Sequence, residues 1–309
     1  MSKIAFVFPG QGVQSVGMGQ DFYDNSDDVK EIYSIASKAS GLNVEELCFT
    51  ENDKLNITEY TQIALLTTEV AILKEVLKRG IKPDVCAGLS LGEYAAVAAA
   101  NAMKLEDLFE LIRLRGKYMQ EAYPEGGAMM AVLGLEADVV SKVCAETEGI
   151  VSIANDNCPG QLVISGEASA VEKAGEALKE AGAKRCISLN VSGPFHSDLL
   201  KKASKQLEEA LKDKTINPIE IPYVCNTEAR LVEDSNDIKN LLVRQVSSGV
   251  RFRESILLMK EMGVDTFVEI GPGKTVAGFL RKTDKELKVI NIEKFEDLDK
   301  LEELKEEEK

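Results

Sequence analysis

Two rhythms of apolar and polar positions divide this chain. Residues 3–8 (KIAFVF) are a short, almost continuous apolar run cut off by Pro9-Gly10, the pattern of a buried strand. A loop rich in glycine follows, with Gly10, Gly12, Gly17 and Gly19. Residues 61–79 carry helical spacing and stop at Gly80, a glycine placed to cap a helix. Residues 84–89 (DVCAGL) read as a second short strand, which runs directly into Ser90. The stretch after it, GEYAAVAAANAM, is dense in strong helix formers. Residues 105–121 are a further amphipathic helix.

From 127 to 192 the rhythm changes. AMMAVLGL predicts a strand, 136–147 a helix, IVSIAND and QLVISG two strands joined through Pro159-Gly160, 168–181 a helix closed by Gly182, and KRCISLNV a last strand. The order βαββαβ is that of a ferredoxin-like unit. The fold expected is therefore α/β. A large α/β-hydrolase-like domain with a parallel sheet, residues 1–126 and 193–309, receives a small ferredoxin-like subdomain, 127–192. The larger part resumes with a helix over 198–212, a strand around YVCN, helices near 237–247 and 252–262, and the strand TFVEIG. The tail from Glu293 is crowded with Glu, Asp and Lys and reads as a solvated helix or frayed end.

Composition narrows the function. With 309 residues and 44% apolar side chains, a sizeable core can form. The formal net charge of −15 has the wrong sign for a nucleic-acid binder, and gives no general attraction to anionic lipid. There is no Trp and few aromatics, so base-stacking platforms are hard to build. The six cysteines form no CxxC pair, and the chain has one His, which weighs against zinc; scattered thiols read as reduced and mostly buried, those of a cytoplasmic protein. No signal peptide is visible at the start, and the longest apolar stretch, around 95–100, is too short to span a membrane.

The sharpest local signal is Gly88-Leu89-Ser90-Leu91-Gly92, a G-x-S-x-G between a strand and a helix. Such a turn lifts a serine clear of the sheet edge, and the helix start aims free N–H groups at the same spot. The plainer reading is an N-cap serine in a Gly-flanked turn. A serine nucleophile needs a base, and His196 is the one candidate, just before a helix where it could equally serve as a cap. Arg115 shares a helix face with Leu105, Leu108, Ile112 and Met119, whereas Arg113 falls on the polar face. A guanidinium on an apolar stripe is costly unless paired. Either an internal carboxylate holds it, or it waits for the carboxylate of a substrate. Gly271-Pro272-Gly273-Lys274-Thr275 shares part of a phosphate loop but lacks its spacing, and reads as a strand-to-helix turn.

Six landmarks occur in order: FPGQGVQ at 8–14, GLSLGEYAA at 88–96, RGKYMQ at 115–120, NDNCPGQLVISG at 155–166, SGPFHS at 192–197 and EIGPGK at 269–274. With these the chain resembles the malonyl-CoA:acyl carrier protein transacylases and the acyltransferase domains of polyketide and fatty-acid synthases, over nearly its whole length. The resemblance implies transfer of a malonyl group from malonyl-CoA to the phosphopantetheine thiol of acyl carrier protein, through an ester on Ser90. It implies His196 as base, the backbone N–H groups of Gln11 and Leu91 as oxyanion hole, and Gln245 orienting His196 through its carbonyl. Arg115 would bind the malonyl carboxylate, and Phe195 would exclude a branch methyl. No metal or redox cofactor is implied, and a monomer is expected. One departure is Leu89, where the family usually has His.

Three rivals share parts of this pattern. A thioesterase or esterase would give the acyl group to water. A discrete acyltransferase of a polyketide synthase would use another acyl group or carrier. A binding module would keep the fold without the chemistry. Basic candidates for carrier docking are Lys201, Lys202, Lys205, Arg251 and Arg253; their plainer reading is a solvated face.

Overall fold

The structure is a computed structural model that describes residues 2–191 and 193–306. In chain order its strands are β1 (Lys3–Phe8), β2 (Val85–Gly88), β3 (Gly127–Leu133), β4 (Val151–Cys158), β5 (Gln161–Glu167), β6 (Arg185–Ser188), β7 (Tyr223–Val224), β8 (Leu231–Val232), β9 (Val264–Ile270) and β10 (Lys288–Ile292). They form two sheets. The larger has the order β10-β9-β1-β2-β7-β8, with every neighbouring pair parallel except the β7–β8 edge hairpin. The smaller, β4-β5-β3-β6, is antiparallel throughout. Its four strands and two helices follow the βαββαβ order expected.

Alternation along β1 explains the continuous apolar run. Phe6 and Phe8 face a core built with the helices Thr58–Lys78, Gly92–Ala99 and Leu105–Ala122. Ala5 and Val7 face the opposite core, against Phe252, Ile256, Val276 and Leu280. A parallel strand covered by helices on both faces has no polar side to show. The small sheet instead packs one face on the helices Ala137–Glu146 and Ala168–Glu180, through Val132, Leu162 and Ile164. Met129, Ala131 and Val163, on the other face, border a cavity. The two sheets are stitched where Val250 exchanges backbone hydrogen bonds with Ala154 (2.8 Å) and Asp156 (2.9 Å). Arg253 also reaches the Asp156 carboxylate at 3.0 Å.

Several elements differ from expectation. The helix after Ser90 stops at Ala99, and Asn101 turns the chain with φ 54°. The last strand of the small sheet keeps four residues. The helices Gln20–Asn25, Asp27–Ser40 and Val44–Phe49 were not marked by the pattern, nor were β8 and β10. The acidic tail is a correction: Phe295–Leu301 and Glu302–Glu306 are helical and bury Leu298, Leu301 and Leu304. Their spacing of three is an apolar stripe hidden among charges. All six cysteines are free thiols, five of them buried. Among the described residues no helix is long and apolar enough to cross a membrane.

Two glycines set the turn between β2 and its helix. A Cβ on Gly88 would lie 1.9 Å from the carbonyl carbon of Gly92, and one on Gly92 would lie 2.4 Å from the Phe8 oxygen. Both neighbours are backbone, so neither can swing away. Gly88→Ala is expected to destabilise the protein by about 3 kcal/mol or more, since overpacking against backbone forces the turn to move. Urea unfolding measures this; a loss below about 1 kcal/mol would show that the turn is looser than its packing.

Candidate functional site

The turn that these glycines permit holds Ser90 at φ 54°, a left-handed conformation that a non-glycine residue adopts only when its surroundings enforce it. The surroundings are identifiable. The Ser90 N–H donates to Asn226 Oδ1 at 2.7 Å, and its carbonyl accepts from Gln245 Nε2 at 2.8 Å. Asn226 is itself fixed by donating through Nδ2 to the Gly88 carbonyl at 2.7 Å.

His196 comes to the same place from 106 residues further along the chain, and it too is left-handed, at φ 57°. Its Nε2 lies 2.7 Å from Ser90 Oγ. Its Nδ1 faces two backbone carbonyls, Gln245 at 2.9 Å and Ser248 at 3.2 Å. Carbonyls only accept, so Nδ1 carries the proton and Nε2 presents its lone pair to the serine hydroxyl. Burial and the nearby Arg115 charge lower the His196 pKa to about 4.

Arg115 is 1% exposed. Among the described residues no carboxylate lies within ion-pair distance of its guanidinium. Neutral amides hold it instead: Nη1 donates to Gln62 Oε1 at 2.7 Å and Nη2 to Gln245 Oε1 at 2.9 Å. Nη2 also reaches Ser90 Oγ at 3.3 Å, and the guanidinium stacks 5.2 Å over the Tyr94 ring. Among the described residues its Nε has no hydrogen-bond partner. Arg113, by contrast, pairs with Glu59 on the outer face and lies 5.2 Å over the Tyr60 ring. Of the two readings of Arg115, an internal carboxylate partner is thus absent.

Glu93, wholly buried one turn beyond Ser90, was not singled out by the sequence. Its Oε2 accepts from Gln245 Nε2 at 2.6 Å and from the Asn226 backbone N–H at 3.2 Å, while Oε1 has no hydrogen-bond partner among the described residues. Desolvation raises its pKa to about 7, against the lowering by these hydrogen bonds and by Arg115.

Ser90 and His196 open onto a cavity of about 550 Å3 between the two sheets, with Arg115, Gln245 and Glu93 buried behind them. Gln11, Leu91, Gln62, Phe195, Ser90 and His196 line it, with Met129 and Asn157 from the small sheet opposite. The turn and cap hydrogen bonds around the elbow leave the N–H groups of Gln11 and Leu91 without an acceptor among the described residues. The Gln11 side chain is anchored on Thr58 Oγ1 at 3.1 Å, which holds its loop against the long helix. Leu89, where a family His was expected, lines the same cavity while packing against the second core, and so presents an apolar side chain there.

The structure therefore brings together Ser90, His196, Gln11, Leu91, Gln245, Arg115 and Phe195, all seven sequence candidates. The sequence missed Gln62, Asn226, Ser248 and Glu93, whose spacing carries no chemical signature. Ser192, the first residue of the SGPFHS landmark, lies outside the described residues. The basic candidates are already engaged in part: Lys201 pairs with Asp198, Arg251 with Glu254, and Arg253 with Asp156 and Glu136. Lys202 and Lys205 are exposed. Among the described residues no group of three or more His, Cys, Asp or Glu is arranged to hold a metal ion.

Known proteins place this arrangement. The family model for the acyl transferase domain matches residues 5–302. The malonyl CoA-acyl carrier protein transacylase of Bacillus subtilis is 44% identical over 94% of each chain. The crystal structure of a malonyl CoA-acyl carrier protein transacylase from Clostridium perfringens superposes with a TM-score of 0.95, at 44% identity, over 99% of this chain and 98% of the other. A malonyl-transacylase solved in complex with a type II polyketide-synthase acyl-carrier protein has a TM-score of 0.95 at 37% identity, covering 98% of this chain and all (100%) of that one. On these matches the chain belongs to the acyl transferase domain family, among the malonyl CoA-acyl carrier protein transacylases.

Proposed function

We propose that this protein transfers the malonyl group of malonyl-CoA to the phosphopantetheine thiol of acyl carrier protein, supplying fatty-acid synthesis, through a malonyl ester on Ser90. The observation that carries the reading is the convergence on one hydroxyl. Ser90 Oγ has His196 Nε2 at 2.7 Å on one side and the buried Arg115 guanidinium at 3.3 Å on the other. The first is what a nucleophile needs; the second is a fixed positive charge where the acyl chain must lie.

In the first half-reaction His196 Nε2 takes the Ser90 proton as Oγ bonds to the thioester carbonyl carbon. The oxyanion is held by the N–H groups of Gln11 and Leu91. The C–S bond then breaks, the imidazolium returns the proton to sulfur, and CoA leaves as its thiol. In the second half the carrier thiol gives its proton to His196 and attacks the ester, and Ser90 is released with the proton restored. Arg115 holds the free malonyl carboxylate throughout. Phe195, 6% exposed at the cavity wall, fills the space a branch methyl would need. No step requires a metal or redox cofactor.

The likeness of the larger layer to α/β-hydrolases rests on the strand–serine–helix turn. We take residues 1–126 and 193–309 as the catalytic part and 127–192 as a cover over the cavity, working as a monomer in the cytoplasm.

Three outcomes test the reading. Ser90→Ala is expected to form no acyl-enzyme with malonyl-CoA. Arg115→Ala should lower kcat/KM for malonyl-CoA about 100-fold, roughly 2.7 kcal/mol of binding to the carboxylate, while acetyl transfer falls less than about threefold. An equal fall for both substrates would make Arg115 structural. The third outcome concerns pH. A base of pKa about 4 stays neutral above that value, and protonation of Nε2 blocks the step. The kcat/KM for acylation, which reports the free enzyme, should be flat from about pH 8 to about pH 5 and fall only below that. An inflection near 6.5, the ordinary His value, would contradict the buried, Arg-flanked base.

A further inference from the structure

We propose that Glu93 is a positioning residue for the acyl-carboxylate site: its Oε2 holds the Gln245 side chain so that the Gln245 amide oxygen, and not its NH2, meets Arg115. This rests on the reading of Arg115 given above.

The case is one of donors and acceptors. The two ends of a glutamine amide are nearly the same size, so only their partners decide which way it faces. Arg115 is donor-only and needs an acceptor, and Gln245 Oε1 supplies one at 2.9 Å. The Gln245 NH2 must then point away, toward groups that accept. Two stand within normal hydrogen-bond length: the Ser90 carbonyl at 2.8 Å and Glu93 Oε2 at 2.6 Å. Each takes one amide hydrogen, and together they hold the side chain from two directions. Asn226 Oδ1 lies further off, at 3.3 Å, and is already bound to the Ser90 N–H.

Glu93 ties the same knot from its other side. Oε2 also accepts the Asn226 backbone N–H at 3.2 Å, and Asn226 is the residue that fixes Ser90. A buried carboxylate two residues into the helix after the nucleophile is costly. Its role lies in the acceptor it offers. Oε2 already faces two donors, so a proton taken up by this carboxyl goes to Oε1, unpartnered among the described residues, and Oε2 remains an acceptor in either state. Without an acceptor here, one Gln245 hydrogen and the Asn226 N–H are buried unpaired. The Gln245 amide is then free to turn, and Arg115 loses one of its two fixed acceptors.

The test uses the full-length enzyme and compares kcat/KM for acylation by malonyl-CoA and by acetyl-CoA. Glu93→Met keeps the volume and removes the acceptor. It should lower the malonyl-to-acetyl ratio at least tenfold. Glu93→Gln, which still offers a carbonyl oxygen, should keep the ratio within about threefold of the native enzyme. An equal fall of both substrates in Glu93→Met would make Glu93 structural and overturn the inference, as would a Glu93→Gln enzyme as unselective as Glu93→Met. Should Glu93→Met fail to fold, Gln245→Met cuts the next link and leaves the carbonyl behind His196 in place; an unchanged ratio there refutes the relay. Arg115→Ala run in parallel separates the two readings. If it fails to favour acetyl, the assignment of Arg115 has failed; if it does so and Glu93→Met does not, only the role of Glu93 has.

Discussion

A guanidinium buried without a carboxylate is the constraint around which this site is built. Full burial of a charge costs several kcal/mol even after relaxation, and the neutral amides of Gln62 and Gln245 and the Tyr94 face return only part of it. A structural arginine would be expected to meet an acid. Arg115 meets amides that fix its plane while leaving its charge uncompensated at contact range, with Nε still unpaired. An acyl chain ending in a carboxylate completes such a site, whereas a neutral acyl chain leaves it short. The reading of the substrate depends on this more than on any other feature.

The same cation shapes the base. His196 is held by backbone carbonyls where a hydrolase would place an acid, and it shares its pocket with Arg115. Burial and the cation disfavour the imidazolium, and the two carbonyls, which favour it, only partly offset them. On the proposed mechanism the serine is then activated mildly, which suits an ester that must wait for a thiol and not be lost to water. Packing of the small sheet over the cavity serves the same end. The left-handed backbone at both Ser90 and His196 shows how firmly the two are aimed. The Ser90 backbone is held by hydrogen bonds to Asn226 and Gln245, and the His196 ring by the carbonyls of Gln245 and Ser248, all far away in sequence.

How much of this was written in the sequence depends on the kind of signal. Strands covered on both faces left apolar runs, and amphipathic helices left a stripe, so the two sheets and the main helices could be read. Gly88 and Gly92 marked the elbow because only glycine fits there. Arg115 betrayed itself as a charge on an apolar stripe. The short edges could not be read: β8 has two residues and β10 lies between charged segments. Leu298, Leu301 and Leu304 were hidden the same way, inside a stretch that looked solvated. Gln62, Asn226 and Glu93 left no trace because a polar residue on a buried helix or strand end has no fixed spacing to its partner. Their meaning appears only when the partners are folded together.

The central claim is that an acyl group rests on Ser90 and leaves for a thiol. Intact-mass measurement of the enzyme mixed with malonyl-CoA, then with holo acyl carrier protein, tests it directly. The account predicts a malonyl adduct on Ser90 that disappears as the same group appears on the carrier thiol. An adduct lost to water with the carrier unmodified, or an adduct on any other residue, would contradict it.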